Sequence, residues 1–296
     1  MGHMNVRFYV AKQMESLAIM VPHLGLSRSF RPNSSSTLVP VDQHIRFMKE
    51  VHPGRPIYVV GGVLEWTEDS VLLYQEIKHA VTGETAAALR TRIRHIEAKT
   101  GKPFAWREKT ITAFESLKIV PPEHTAPRSI NPSADVTPDA QCLASVPDQL
   151  NIPVIGRGCV PPEHCDSFGR MKPEHFIGRV SDSVPNLMSA WREEVAKAAA
   201  AKGDKVRSGA AVLEYRLRYR KWPVAGDILE VRTGLGDVKP KVHSLVHWIT
   251  NPITGVVYCT SEAVAITFDL DKRKAIETDP ENMALLEKRV PKGLKI

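Results

Sequence analysis

The feature that most constrains this chain is that it repeats itself. Gly2-His3-Met4-Asn5 and the residues up to 18 read against Gly169-Arg170-Met171-Lys172 and the residues up to 185. At an offset of 167, Gly2 falls on Gly169, Met4 on Met171, Tyr9 on Phe176, Val10 on Ile177 and Glu15 on Asp182. Each copy carries an aromatic and aliphatic stripe at helical spacing, which predicts one long helix starting near residue 4 and another near residue 171.

β-rich sequence follows each predicted helix. In the front half, residues 56–66, 70–80 and 87–97 are rich in Val, Ile, Leu and Tyr, and Thr82-Gly83-Glu84 reads as a hairpin turn. Lys99-Thr100-Gly101 is the next turn, and 103–117 is expected to be a further strand. In the back half, Leu213, Tyr215, Leu217 and Tyr219 alternate with Glu214, Arg216, Arg218 and Arg220, the pattern of a half-buried strand. Residues 227–235, 242–250 and 256–270 follow, with a turn at 251–255 expected to match Lys99-Thr100-Gly101. One helix and then about four antiparallel strands, twice over, is an α+β plan and not the βαβ alternation of a parallel sheet. Residues 154–165 read as an extra strand ahead of the second helix. The front half has no counterpart, so its unit is expected to lack a first strand.

Between the halves, prolines stand at 121, 122, 127, 132, 138, 147 and 153, with polar residues between them. That composition reads as an extended linker. It divides the chain into a front unit at 1–120, a linker at 121–150 and a back unit at 151–296, and the linker is expected to be the first segment proteases cut. The chain is 43% hydrophobic and 25% charged, as globular proteins are. No apolar run is long enough for a membrane helix, and no basic-then-apolar leader is present. Cys142, Cys159, Cys165 and Cys259 form no Cys-x-x-Cys pair, which disfavours a disulfide scaffold or a zinc ribbon. The expected setting is a reducing cytoplasm, with no metal and no cofactor. The net charge of +7 suits anionic partners. The arginines sit among strand residues without an aromatic platform, which argues against nucleic acid.

The repeated segments resemble a known motif. Gly2-His3-Met4-Asn5, followed by Tyr9 and Glu15, resembles the start of the central helix in hot-dog thioesterases. There the pattern Asp-x-x-Gly-His-(Met/Val)-Asn precedes an aromatic and then an acid. Asp166-Ser167-Phe168-Gly169-Arg170-Met171 resembles the same motif with Asp and Gly kept, Arg170 in place of His and Lys172 in place of Asn. The chain thus resembles the tandem, or double hot-dog, members of the 4-hydroxybenzoyl-CoA thioesterase-like superfamily, a two-unit plan shared with plant-type acyl-ACP thioesterases. A plainer alternative is that Gly2-His3-Met4 is a vector-derived scar, in which case His3 is not native.

The resemblance implies two antiparallel sheets, each wrapped around a long helix, and hydrolysis of acyl thioesters, acyl-CoA first and acyl-carrier protein second. A non-catalytic acyl-CoA/acyl-ACP binding protein and an enoyl-CoA hydratase are the alternatives. The hydratase box needs an acid where Cys159 stands. A homodimer of the double unit is a further expectation. The implied composite site combines Asp166 with His3 and Asn5, and Glu15 supplies a second carboxylate. Helix starts would polarise the carbonyl, and a carboxylate would act as base or nucleophile. Gly2, Tyr9, Gly169, Arg170, Met171 and Asp182 would line the substrate, and Arg216 and Arg218 would grip a phosphoadenosine. Plainer readings exist for the same residues: Asp166 and Asn5 as helix caps, Tyr9 as core, and the arginines as an exposed basic face.

Overall fold

Asn5 opens the first helix. Its backbone is extended, and its side chain accepts the Arg7 N–H at 3.0 Å, closing the N-terminus of α1 (Val6–Met20). The computed structural model describes residues 2–135, 137–200 and 208–292. Four strands follow α1: β1 (Ser36–Phe47), β2 (Ile57–Trp66), β3 (Ser70–His79) and β4 (Thr85–Glu97). Then come α2 (Glu108–Ser116) and the one-turn α3 (Val146–Gln149). The back half contributes β5 (Val154–Cys159), α4 (Glu174–Ala200), β6 (Ser208–Tyr219), β7 (Ile228–Val238), β8 (His243–Thr250), β9 (Val257–Asp269), the short β10 (Lys274–Ala275) and α5 (Pro280–Glu287). No helix among the described residues is long and apolar enough to cross a membrane.

Among the described residues all the strands belong to one antiparallel sheet, in the order β2-β3-β4-β1-β6-β9-β8-β7-β5, with β10 beside β9. The halves meet edge to edge, β1 against β6, from Asp42 opposite Arg218 to Arg46 opposite Glu214. The duplication is visible bond by bond. The Met48 and Lys49 amides both donate to the Ala86 carbonyl, and the Arg220 and Lys221 amides both donate to Tyr258. Tyr9 meets Phe47 edge-on with ring centres 5.2 Å apart, and Phe176 meets Tyr219 the same way at 5.1 Å. The α+β plan of two hot-dog units is the architecture observed. One apolar core runs through both halves, taking Tyr9, Val10 and Ile45 from the front and Phe176, Ile177 and Leu217 from the back.

Four sequence expectations need correction. Residues 103–117 form no strand; most of the segment is α2. Its Thr and Ile content suggests a strand, but Thr110 and Phe114, four apart, are the buried face, which is a helical period. The strand missing from the reading is β1, at the centre of the sheet. Pro40 sits at a bulge there, where the register shifts, and obscures the β pattern. The turn at 251–255 joins β8 to β9 and so matches Thr82-Gly83-Glu84 between β3 and β4, not Lys99-Thr100-Gly101. Finally, the polar face of β6 is not open to solvent: Glu214 and Arg216 are buried along with Tyr215 and Leu217.

The cover over that polar face is the proline-rich connector. It crosses the outer face of the sheet, away from the helices, and is fastened through its backbone. Arg46 donates to the His124 and Ala126 carbonyls, Arg90 to Thr125, Arg216 to Asn131 and Ala134, and Arg220 to Thr137. The Glu214 carboxylate accepts the amides of Arg128, Ser129 and Ile130 at 2.7–2.9 Å. A segment rich in proline forms few backbone bonds of its own, so side chains of the sheet satisfy its carbonyls instead. At the β2 edge, Val63 exchanges backbone bonds with Leu117 and Ile119, both at 2.9 Å. Gly62 permits this approach, since a Cβ there would lie 2.5 Å from the Leu117 carbonyl oxygen.

Candidate active site between the two long helices

α1 and α4 pack side by side in opposite directions. The Asn5 side-chain amide donates to Ser181 Oγ at 3.1 Å. Two residues further along α1, the Arg7 side chain lies against Gly178, where an added Cβ would stand 3.3 Å from Arg7 Cδ. The start of α1 therefore lies beside the body of α4, and the start of α4 beside the middle of α1. Glu174 to Ser181 spans seven residues, roughly 10 Å of helix. Asp166 precedes even Glu174, so the expected union of Asp166 with His3 and Asn5 does not occur. Antiparallel packing about a pseudo-twofold separates like ends.

The expected site residues are distributed as follows. Asp166 Oδ1 accepts the amides of Phe168 and Arg170 at 2.8 and 3.0 Å, and Oδ2 accepts Arg170 Nε and Nη2 at 3.0 and 2.8 Å. It anchors a turn in which Gly169 takes φ +78°. It caps no helix, because α4 begins only at Glu174. Arg170 also reaches Thr37 Oγ1 at 3.3 Å, and Met171 is fully buried. His3 Nδ1 stands 4.0 Å from Glu50, and Gly2 is exposed. Tyr9 is core. Glu15 pairs with Lys12 at 2.8 Å on the exposed side of α1, and Asp182 is exposed on α4. Arg216 and Arg218 both pair with Asp42 on the outer face, the first at 2.9 Å, so they lie across the sheet from the helices.

The first turn of α4 gathers groups that sequence reading passed over. Burial raises the Glu174 carboxyl above its ordinary value, and the nearby charge of Glu15 on α1 adds to this against Lys172 and Arg7. Burial also pulls His175 down to about 4, so its imidazole is neutral at pH 7. His175 stacks on His164 with ring centres 3.8 Å apart. Beneath α1 lies a buried amide chain. Gln13 Nε2 donates to Gln75 Oε1 at 2.6 Å, Gln43 Nε2 to Thr91 Oγ1 at 3.1 Å, and the Tyr219 hydroxyl to Gln43 Oε1 at 2.9 Å. Burial, then the charges of Cys259 and Glu174, push the Tyr219 phenol well up. The α4 end of the helix pair thus brings together a carboxylate of raised basicity, a neutral imidazole and a buried donor–acceptor chain near the positive end of a helix dipole.

One sequence signal for this end exists. Pro-Glu-His occurs at 122–124, 162–164 and 173–175. Each copy starts a helical turn, and only the third continues into a long helix. Proline followed by glutamate is a helix-start signal. Among the described residues no three His, Cys, Asp or Glu side chains are grouped to hold a metal ion.

Comparison with solved structures supports the same architecture. An assigned oleoyl thioesterase of Lactobacillus plantarum superposes with a TM-score of 0.65 at 12% identity, covering 90% of each chain. The 12:0-ACP thioesterase of Umbellularia californica gives 0.64 at 11% identity, over 90% of this chain and 88% of that one. An acyl-ACP thioesterase of Bacteroides thetaiotaomicron gives 0.58 at 12%, over 89% and 90%. A comparison with curated protein sequences gave no match. The model of the thioesterase-like superfamily matches residues 1–114 and 160–286, on both sides of the connector. With both halves matched in sequence and the tandem architecture observed, this chain belongs to the thioesterase-like superfamily.

Proposed function

We propose that the chain hydrolyses acyl thioesters, with acyl-CoA as substrate, where the first turn of α4 meets the middle of α1. The observation that carries this reading is Glu174: a carboxylate of raised basicity at a helix start, close enough to Tyr219 to perturb its phenol. The thioester carbonyl oxygen points toward the amides and dipole of that first turn, which stabilise developing negative charge. Glu174 accepts a proton from water as the oxygen attacks the carbonyl carbon. The tetrahedral intermediate then expels the thiolate, which recovers the proton, giving a free acid and a free thiol. Asp166 serves this scheme through the loop it shares with Arg170, not as the base, because both of its oxygens are already engaged. Asn5 serves as the α1 cap and cross-helix tie, and Glu15 tunes Glu174 by its charge.

The test is thiol release from short, long and aromatic acyl-CoA esters. Glu174→Gln should lower the rate by roughly 10²–10⁴-fold, the usual worth of a general base, and Asp166→Asn by far less. Equal loss in both variants would return the base to Asp166. A second reading is acyl-CoA or acyl-carrier-protein binding without turnover. It draws on the same engagement of Asp166 by Arg170, and it takes over if wild-type protein releases no thiol from any ester yet binds them.

A further inference from the structure

The outer face of the sheet holds a cleft of about 780 Å³, roofed by connector residues 127–133 and floored by β1 to β4. Three guanidinium side chains line it, those of Arg90, Arg92 and Arg128. Their charges are only partly compensated. Arg90 spends one N–H on the Thr125 carbonyl at 3.1 Å and feels the charge of Glu214, and among the described residues no carboxylate stands at ion-pair distance from Arg90 or Arg128. Arg92 pairs at 2.5 Å with Glu65, which also lines the cleft with a mostly exposed side chain, so a phosphate there competes with that carboxylate for Arg92. Asp42 also lines the cleft, but Arg216 and Arg218 already occupy it. His44, only 1% exposed, lines the cleft too. Its Nε2 stands 3.4 Å from Glu214, and its buried Nδ1 has no hydrogen-bond partner. Leu64, Leu72 and Ile130 give the cleft an apolar side.

We propose that this cleft binds a small phosphate-bearing ligand. Its phosphate lies among Arg90, Arg92 and Arg128, and its remaining body rests on the apolar side. Planar guanidiniums suit a phosphate, which accepts paired N–H bonds. The cleft is far larger than a bare phosphate needs and falls within the size range of small-molecule sites. Arg128 and Ile130 come from the connector, and the superfamily model matches only 1–114 and 160–286. The roof is therefore built from a segment outside the matched family regions. The sheet separates this cleft from the helices, so the proposal stands independently of thioester hydrolysis.

Calorimetric titration of the full chain at fixed ionic strength tests it, because bulk screening would otherwise mimic specific loss. The probes are inorganic pyrophosphate, adenosine 5′-monophosphate and adenosine. Pyrophosphate and the nucleotide should each saturate one site, and adenosine should not. The double variant Arg92→Gln/Arg128→Gln should weaken the nucleotide by at least about tenfold. Lys172→Gln, on the helix side, should leave it unchanged. Should the double variant melt earlier than wild type, Arg128→Gln alone, an exposed connector side chain, should still weaken binding several-fold. No saturable binding of either phosphate up to about 10 mM, or equal loss in Lys172→Gln, overturns the proposal.

Discussion

The Tyr219 hydroxyl, on a strand of the back half, donates to Gln43 Oε1, on a strand of the front half, at 2.9 Å. Both groups are buried, so the junction of the two units is polar at its centre as well as apolar around it. Removing the hydroxyl leaves the Gln43 oxygen without that donor in a site water cannot reach. Tyr219→Phe should cost roughly 1–3 kcal/mol of unfolding free energy, read from urea denaturation. A change below a few tenths would mean that the amide chain rearranges freely.

The pH–rate profile should report Glu174. A base must be ionised to act, and burial raises this carboxyl above its ordinary value. Hydrolysis should therefore fall on the acid side at a higher pH than an ordinary glutamate would give. Neutralising the neighbouring charge by Glu15→Gln should move that limb to lower pH with little effect on the plateau. A limb that does not move would place the titrating group elsewhere.

Glu214→Gln should loosen the connector. The carboxylate meets three backbone amides and His44. Burial opposes its ionisation most strongly, but these partners together hold its pKa below the ordinary value. Bonds to a charged acceptor are worth roughly 1.5–3 kcal/mol, and the neutral amide keeps only part of this. Amides 128–130 should exchange with deuterium markedly faster in the variant, and proteases should cut near 127–133 there before they cut wild type. In wild type the same loosening should set in as pH falls below the carboxylate range, because a depressed pKa stabilises only while the group is ionised.

His247 should set part of the acid sensitivity. It is fully buried, bonded through Nδ1 to Thr233 at 2.7 Å, and burial pulls its pKa to about 3 from 6.5. Below pH 6.5 the unfolded chain takes up a proton that the folded chain refuses. Stability should fall as pH drops from about 6.5 toward about 3, by on the order of 1 kcal/mol per pH unit. His247→Gln should flatten that slope in denaturation series between about pH 4 and about pH 7. Gln75 holds the matching position in the front half and shows that the site accommodates an amide. An unchanged slope would assign the sensitivity to other groups.

The sequence carried the architecture in its repeat. Tyr9 and Phe176, or Val10 and Ile177, declare two matched helices because burial imposes the same stripe on both. Strands with aliphatic alternation are legible, while β1 is not, since Pro40 at its bulge and the polar face of Asp42, His44 and Arg46 break the aliphatic pattern. That face is polar because it must hold the connector, a long-range demand no local period reveals. The site was less legible for the same kind of reason. Motif matching drew Asp166 toward His3 and Asn5, but the direction of helix packing decides which residues meet, and direction is not written in either segment alone. Glu174 and Gln13 gain their roles only from that antiparallel pairing.

The β1–β6 junction has a hereditary consequence. In an assembly of two identical chains, every codon change appears at both ends of the molecule, so neither end can be spared. Here the two units are encoded once each and joined within one sheet, so a change in one half leaves its twin untouched. The exchange of His3 for Arg170, or of Gln75 for His247, is the kind of divergence such a gene can accumulate, with one end free to drift or specialise while the other keeps its chemistry.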